Sequence, residues 1–220
     1  MLDSLRSVGL PVADTFVTSA RTAAELLTCE PVRDRWDAES ACAGMTVGGL
    51  AFHLAAQAGN AVRLVSAAPT AESPIPVEEH YRRAAWANTD LDDEVNLDIR
   101  TSANDEADAG FDGLCAKVAA DLAALPEVLD ARAAADPVLI PWQGWALTAH
   151  DFLVTRLMEM LVHSDDLAAS IDVPTPQFPD EAVRLVLGLL TSVAVERHGQ
   201  TALLRALSRP QRAPASVSAF

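Results

Sequence analysis

One segment of the sequence, residues 148–167, carries a line of polar side chains with apolar residues on either side of it. In an α-helix, positions 152, 156, 159, 163 and 166 lie above one another, which aligns Phe152, Arg156, Glu159, His163 and Asp166 on one face. Apolar residues border this line on both sides, so we do not expect its charged groups to face bulk water. Since burying a charge is costly unless it is paired or bound, the fold must bring a compensating group to this helix.

A divalent metal ion is one such group. Glu159 and His163 are four residues apart, so a carboxylate oxygen and an imidazole nitrogen can meet at one ion from a single helix. A second predicted helix carries the same anomaly, because His53, Gln57 and Asn60 form a short polar line among apolar residues. His53 is therefore the candidate third ligand. Two histidines and one glutamate, with an open position for water, are typical of catalytic zinc.

The residues alone leave other interpretations open. His163 could be a core histidine that is hydrogen-bonded to Glu159, and His53 could be a satisfied core residue with no ligand. The remaining histidines stand among polar or terminal residues and predict ordinary roles; they are His80, His150 and His198. The cysteines are far apart and lack C-x-x-C spacing, so they predict small buried hydrophobes; they are Cys29, Cys42 and Cys115.

Helical periodicity dominates the rest of the chain and predicts an all-α protein without internal repeats. The predicted helices cover about 12–29, 46–68, 77–86, 111–134, 148–170 and 180–197, with a further turn or two at 202–208. Residues 88–110 are acidic with little periodicity and predict a solvated loop or a frayed helix start; a metal-binding or gating loop is the alternative. Residues 136–145 predict a connector whose Trp142 and Trp145 cap one end of the core.

Composition excludes several classes of protein. Lys and Arg number 16 against 31 Asp and Glu, and the net charge of −15 repels phosphate backbones, so nucleic acid is not an expected partner. No apolar run reaches the roughly 20 residues that a membrane span needs, and no leader pattern is found, so we expect a cytoplasmic protein. We expect one domain over residues 1–208 and a C-terminal tail over 209–220, in a monomer or a homodimer.

Three motifs carry a family resemblance. Residues 45–54 (MTVGGLAFHL), 144–148 (GWALT) and 156–167 (RLMEMLVHSDDL) resemble the DinB-like domain of mycothiol-dependent maleylpyruvate isomerases. The resemblance implies a DinB-like four-helix bundle with short additional helices and one metal, usually zinc, held by His53, Glu159 and His163. Arg156 and Asp166 also match the family pattern.

The resemblance also sets the expected activity. Isomerases of this family carry an additional C-terminal α/β domain, whereas this chain ends shortly after its last predicted helix. The expectation is therefore a zinc-dependent or other metal-dependent thiol S-transferase, which joins mycothiol or a similar small thiol to an electrophilic substrate. The alternatives are maleylpyruvate isomerase-like activity, hydrolysis by metal-bound water, and a non-enzymatic metal-binding module.

Roles for the neighbouring side chains follow as hypotheses. Arg156 could steer a substrate carboxylate or pair with Glu159. Asp166 could orient a ligand imidazole, or it could be a solvated acid at the end of a helix. Three tryptophans could wall the pocket or pack in the core; they are Trp86, Trp142 and Trp145.

Overall fold

The computed structural model describes residues 12–68, 70–88 and 92–220. The first eleven residues of the predicted 1–208 domain, and residues 89–91 of the predicted acidic loop, lie outside the described residues. The helices are α1 (Val12–Leu27), α2 (Glu30–Asp34), α3 (Val47–Val65), α4 (Val77–Arg83), α5 (Ala85–Asn88), α6 (Glu94–Glu106), α7 (Gly110–Asp130), α8 (Ala149–Ser170), α9 (Asp180–His198) and α10 (Gln200–Ser208). Two strands, β1 (Pro137–Ile140) and β2 (Trp145–Thr148), form an antiparallel hairpin.

Four of these helices form the bundle. α1 and α3 each pack against both α7 and α8, and their apolar faces form one continuous core. The remaining helices are short or lie against the outside of this bundle, as α6 does on α3 and α9 on α8. The predicted all-α, DinB-like four-helix bundle with short additional helices is therefore confirmed.

Two threonines fix where the site-bearing helices begin. The Thr46 side chain accepts a hydrogen bond from the Gly49 N–H at the start of α3, and Thr148 accepts one from the Asp151 N–H at the start of α8. Both N-caps follow the sequence prediction, and each contributes about 1 kcal/mol to helix stability.

For residues 88–110 the prediction was a solvated loop or a frayed helix start, and the loop is wrong from Glu94 onward because Glu94–Glu106 is a helix. Ala103 is the buried residue of this helix, so no repeat of apolar residues along the sequence could reveal the helix. Tertiary contacts hold it instead. The Asn104 side chain accepts a hydrogen bond from the Thr46 N–H at 3.0 Å and donates one to the Gly44 carbonyl at 2.9 Å.

The connector over residues 136–145 is a β-hairpin that leads into α8. Pro137 pairs with Thr148 and Ile140 with Trp145. Trp142 lies at the turn and is 53% exposed, so the prediction that it caps the core is wrong. The turn of the hairpin places its central residues on the surface, and Trp142 stays there although its side chain is apolar.

The end of the chain returns to the body of the protein. Within the predicted tail, Ser218 and Ala219 carbonyls face His198 Nε2 at 2.8 Å and the Arg197 guanidinium at 3.3 Å. Among the described residues, no helix combines the length and the apolar character that crossing a membrane requires.

Candidate metal centre

The three predicted ligands meet where α3 faces α8. Glu159 Oε2 lies 3.1 Å from His163 Nε2 and 4.0 Å from His53 Nε2. The two imidazole rings stand edge to face with their centroids 4.8 Å apart. One potential ligand atom from each residue falls within 4.8 Å of the other two.

This donor set fits a divalent ion. Nitrogen and oxygen ligands bound tetrahedrally to zinc at their usual distances lie roughly 3.4 Å from one another. The observed separations of 3.1 Å and 4.0 Å fall on either side of that value, so small side-chain adjustments would complete the geometry. His53, Glu159 and His163 are therefore residues that could hold a metal, and three protein ligands leave a fourth position open.

Burial and mutual contact set the charge of each candidate ligand. The side chains of His53, Glu159 and His163 are 22%, 13% and 18% exposed. Burial and the positive charge on His163 lower the pKa of His53 to about 4. Burial raises the pKa of Glu159, but the hydrogen bond from His163 and the charge of Arg156 outweigh it and lower the pKa to about 2.

His163 behaves differently because both ring nitrogens face carboxylates. Burial lowers its pKa, but hydrogen bonds to Asp166, Cys42 and Glu159 outweigh burial and raise the pKa well above its ordinary value. At neutral pH the metal-free site therefore holds a neutral His53, an ionised Glu159 and a protonated His163. Only His163 must lose a proton to become a ligand.

Metal binding at pH 6 should therefore release about one proton per ion, all of it from Nε2 of His163. Below the raised pKa of His163, metal and proton compete, so affinity should rise about tenfold per pH unit. Isothermal titration calorimetry in buffers of different ionisation enthalpy measures the proton count. A count near zero would show that His163 is neutral in the metal-free protein, contrary to this interpretation.

The structure brings Asp166 to His163, as the orienting hypothesis requires. Asp166 Oδ2 lies 3.0 Å from His163 Nδ1, on the side of the ring away from Glu159. The Asp166 side chain is 30% exposed, so it is not a fully solvated helix-end acid. A carboxylate that accepts the Nδ1–H keeps that proton on Nδ1 and fixes the ring orientation in which Nε2 faces Glu159, so Nε2 is the nitrogen that would lose its proton to a metal.

Arg156 does not form the direct pair with Glu159 that one hypothesis required. Within the described parts of the chain, no ion pair within 4.0 Å joins the two side chains. Arg156 instead donates to Gln57 Oε1 at 2.8 Å and to Thr155 Oγ1 at 3.2 Å, and Gln57 donates in turn to the His53 carbonyl at 2.7 Å. Its charge acts on Glu159 through space and is held beside the site by α3.

Cys42 is a site residue that the sequence prediction missed. Its thiol donates to Asp166 Oδ2 at 3.3 Å, and its sulfur lies 4.0 Å from His163 Nδ1. All three cysteines are partly exposed, so the prediction of small buried hydrophobes is wrong for each of them, and Cys42 is hydrogen-bonded as well. A loop residue more than one hundred positions from its partners leaves no periodic signal.

His80 was also missed, because it stands among polar residues in the sequence and was predicted to have an ordinary role. It is only 2% exposed on α4, and the Trp145 indole N–H donates to its Nδ1 at 3.1 Å. Burial and the charge of Arg156 lower its pKa to about 4, so it is neutral at physiological pH. Since Nδ1 accepts, the ring proton is on Nε2.

Two of the three tryptophans for which a pocket wall or core packing was predicted lie in this aromatic neighbourhood. Trp145 stands edge to face with His80, and Trp86 does so with Tyr81. Phe220 packs on the Tyr81 and Trp86 rings. Burial and the charge on Glu159 raise the pKa of Tyr81, which places this cluster within electrostatic range of the candidate ligands.

Comparison with models of known protein families gives a match over most of the bundle. A family model described as the mycothiol maleylpyruvate isomerase N-terminal domain matches residues 17–168, more than half of the chain. The matched region runs from α1 to α8 and includes the candidate ligands with Cys42, Arg156 and Asp166. No curated protein and no solved structure matches the chain significantly.

Proposed function

Because this chain belongs to the mycothiol maleylpyruvate isomerase N-terminal domain family, we propose that it is a metal-dependent thiol S-transferase. Mycothiol or a similar small thiol is the proposed cosubstrate, and zinc is the proposed metal. The observation that carries the proposal is the convergence of His53 Nε2, Glu159 Oε2 and His163 Nε2 between α3 and α8.

The proposed ion has one chemical task. When bound, zinc lowers the pKa of a coordinated thiol so that the sulfur is a nucleophilic thiolate at neutral pH. Glu159 contributes a negative charge to the ligand set because its pKa is about 2. Asp166 keeps a proton on Nδ1 of His163 and holds the ring so that Nε2 faces the other ligands.

Arg156 is the proposed binding group for an acidic electrophile. Its guanidinium is fixed by Gln57 and Thr155, and these bonds leave other N–H groups of its five donors for a substrate carboxylate. Together with burial, the charge of Arg156 also lowers the pKa of His80, which lies on α4 and is neutral. A conjugated carboxylic acid bound by Arg156 would lie near Glu159, on whose pKa the Arg156 charge acts.

Arg156→Met should raise KM for a carboxylate-bearing electrophile about tenfold, since a charge-assisted hydrogen bond is lost. KM for an uncharged electrophile should change little. Arg184→Met is the control, because Arg184 is exposed and pairs with Glu181 on α9. Equal effects on the charged and uncharged substrates would contradict the assignment of Arg156.

Isomerase-like activity is a second candidate, favoured by the family to which the chain belongs. The same site would serve it, because reversible addition of a thiol to a conjugated acid permits rotation about the former double bond. Elimination of the thiol then returns an isomer, with the thiol regenerated. Maleylpyruvate, with and without mycothiol, is therefore a necessary substrate in any assay.

The testing experiment removes and restores the metal. Purified protein is assayed with mycothiol and an electrophilic substrate before dialysis against a chelator, after dialysis, and after zinc is added back. Thiol-dependent consumption that is lost and then restored supports the proposal. Consumption that needs metal but no thiol would identify a hydrolase, and protein that binds no metal would overturn the proposed site.

A further inference from the structure

The loop between α2 and α3 is a closed structure with Cys42 inside it. The Ser40 N–H donates to the Met45 carbonyl at 2.9 Å, and the Met45 N–H donates to the Cys42 carbonyl at 2.9 Å. The Cys42 N–H donates to Ser40 Oγ at 3.2 Å. These three bonds fix the backbone on both sides of the thiol.

α8 holds this loop one turn beyond Asp166. The Ala41 N–H donates to Ser170 Oγ at 2.8 Å, and the Ser170 hydroxyl donates to the Asp166 carbonyl at 2.6 Å. Arg35 reinforces the contact by donating to the Ser170 carbonyl at 3.0 Å and pairing with Asp172 at 2.7 Å. Contacts that do not involve the thiol therefore hold the Cys42 backbone beside α8.

The Cys42 thiol is hydrogen-bonded to Asp166, the carboxylate that also contacts the candidate ligand His163. Cys42 S–H donates to Asp166 Oδ2 at 3.3 Å, and the same oxygen lies 3.0 Å from His163 Nδ1. One carboxylate oxygen thus accepts from a thiol and from an imidazole. With the thiol as a second donor, Asp166 has one preferred rotation.

We propose that Cys42 is a positioning residue for the metal centre, acting on His163 through Asp166. This inference rests on the proposed function. The thiol restrains Asp166 Oδ2, the restrained carboxylate holds the His163 Nδ1–H, and the ring therefore keeps Nε2 directed at Glu159 and His53. Partners of this kind raise metal affinity because they reduce the reorientation that binding requires.

The same three side chains could instead bind a second ion, since Cys42, His163 and Asp166 also bring their potential ligand atoms together. A metal on each nitrogen of His163 would require the ring to lose both protons. The Nδ1–H is the group that Asp166 accepts, and the Cys42 thiol is a donor in this arrangement. The contacts therefore favour positioning, and the second ion becomes an outcome of the test.

The test measures zinc affinity and stoichiometry by competition with a chromophoric chelator. Cys42→Ala should weaken binding about tenfold, and Asp166→Ala by roughly 10-fold to 100-fold. Cys42→Ser keeps a donor and should stay within about threefold of the wild type. Adding Cys42→Ala to Asp166→Ala should cause no further loss, because the thiol acts through the carboxylate.

Cys115→Ala on α7 is the matched control and should leave affinity unchanged. Thermal unfolding of each metal-free variant checks that the fold is intact. Unchanged affinity in Cys42→Ala, equal loss in Cys42→Ser, or additive losses in the double variant would each overturn the inference. Two zinc ions in the wild type, with one lost in Cys42→Ala, would overturn it by making Cys42 a ligand.

The two proposals fail in different ways. If the wild type binds no metal, or His163→Ala binds it normally, the metal centre and the role of Cys42 both fall. If His163→Ala loses the metal while Cys42→Ala binds as tightly as the wild type, only the role of Cys42 falls.

Discussion

Replacing His163 with alanine is expected to weaken metal binding by more than about 100-fold, beyond the loss that a supporting residue causes. His163 contributes one of three ligand atoms, and its Nε2 lies 3.1 Å from the Glu159 carboxylate that completes the α8 part of the site. Without His163, two candidate ligands remain, His53 on α3 and Glu159 on α8, and the pair on α8 is lost. Thiol transfer should fall to the level of chelator-treated wild type, because the activity is proposed to require the ion.

A loss of metal binding that is caused by the missing ligand must be distinguished from one that is caused by unfolding. Removing the ring leaves Glu159 buried without its hydrogen bond to His163, which should lower the free energy of unfolding by about 1–3 kcal/mol. His163→Gln keeps a polar group at the position and is the second variant to measure. His198→Ala is the control, since His198 contacts the Ser218 carbonyl at the far end of α9. Stoichiometric metal in a folded His163→Ala protein would contradict the site.

Features that repeat along a helix were predictable from the sequence. Glu159 and His163 lie on one helical line inside apolar surroundings, and His53 shows the same anomaly on a second helix. The structure places these three side chains together, and their role as metal ligands stays a prediction. The N-caps Thr46 and Thr148 were equally readable, because a cap depends on four neighbouring residues.

Features that depend on tertiary contact were not predictable. Cys42 reaches Asp166 only because the 40–45 loop is bonded to Ser170, a contact between segments distant in the sequence. His80 lies on a helix of seven residues, too short for a periodic pattern, and is buried by the hairpin that carries Trp145. The α6 helix is exposed along most of its length, so its composition resembles that of a loop.

Trp36 is a further contact of this kind, and it constrains the start of α3. Its ring stands edge to face with Phe52 at 6.1 Å and with Phe111 at 6.0 Å, and its indole N–H donates to the Ala107 carbonyl at 3.3 Å. The ring lies directly on Gly48. A Cβ at that position would be 2.6 Å, 2.8 Å and 2.9 Å from three atoms of the indole.

Gly48→Ala is therefore expected to lower the free energy of unfolding by about 1–3 kcal/mol. The indole cannot withdraw, because two aromatic rings and a backbone carbonyl hold it, so the strain must be taken up by α3 itself. The helix-propensity gain of alanine, up to about 1 kcal/mol, offsets only part of this loss. Urea denaturation of the metal-free protein measures the difference between the two proteins.

Gly59→Ala makes the same change on the same helix with a different neighbour. There the new Cβ would meet Lys117 Nζ at 2.6 Å and Asp121 Oδ2 at 2.9 Å, which are the mobile ends of an ion pair that can shift. Propensity gain and a weakened ion pair should nearly cancel, leaving stability within about 1 kcal/mol of the wild type. If both variants lose the same stability, the packing of Trp36 on Gly48 does not set the position of α3.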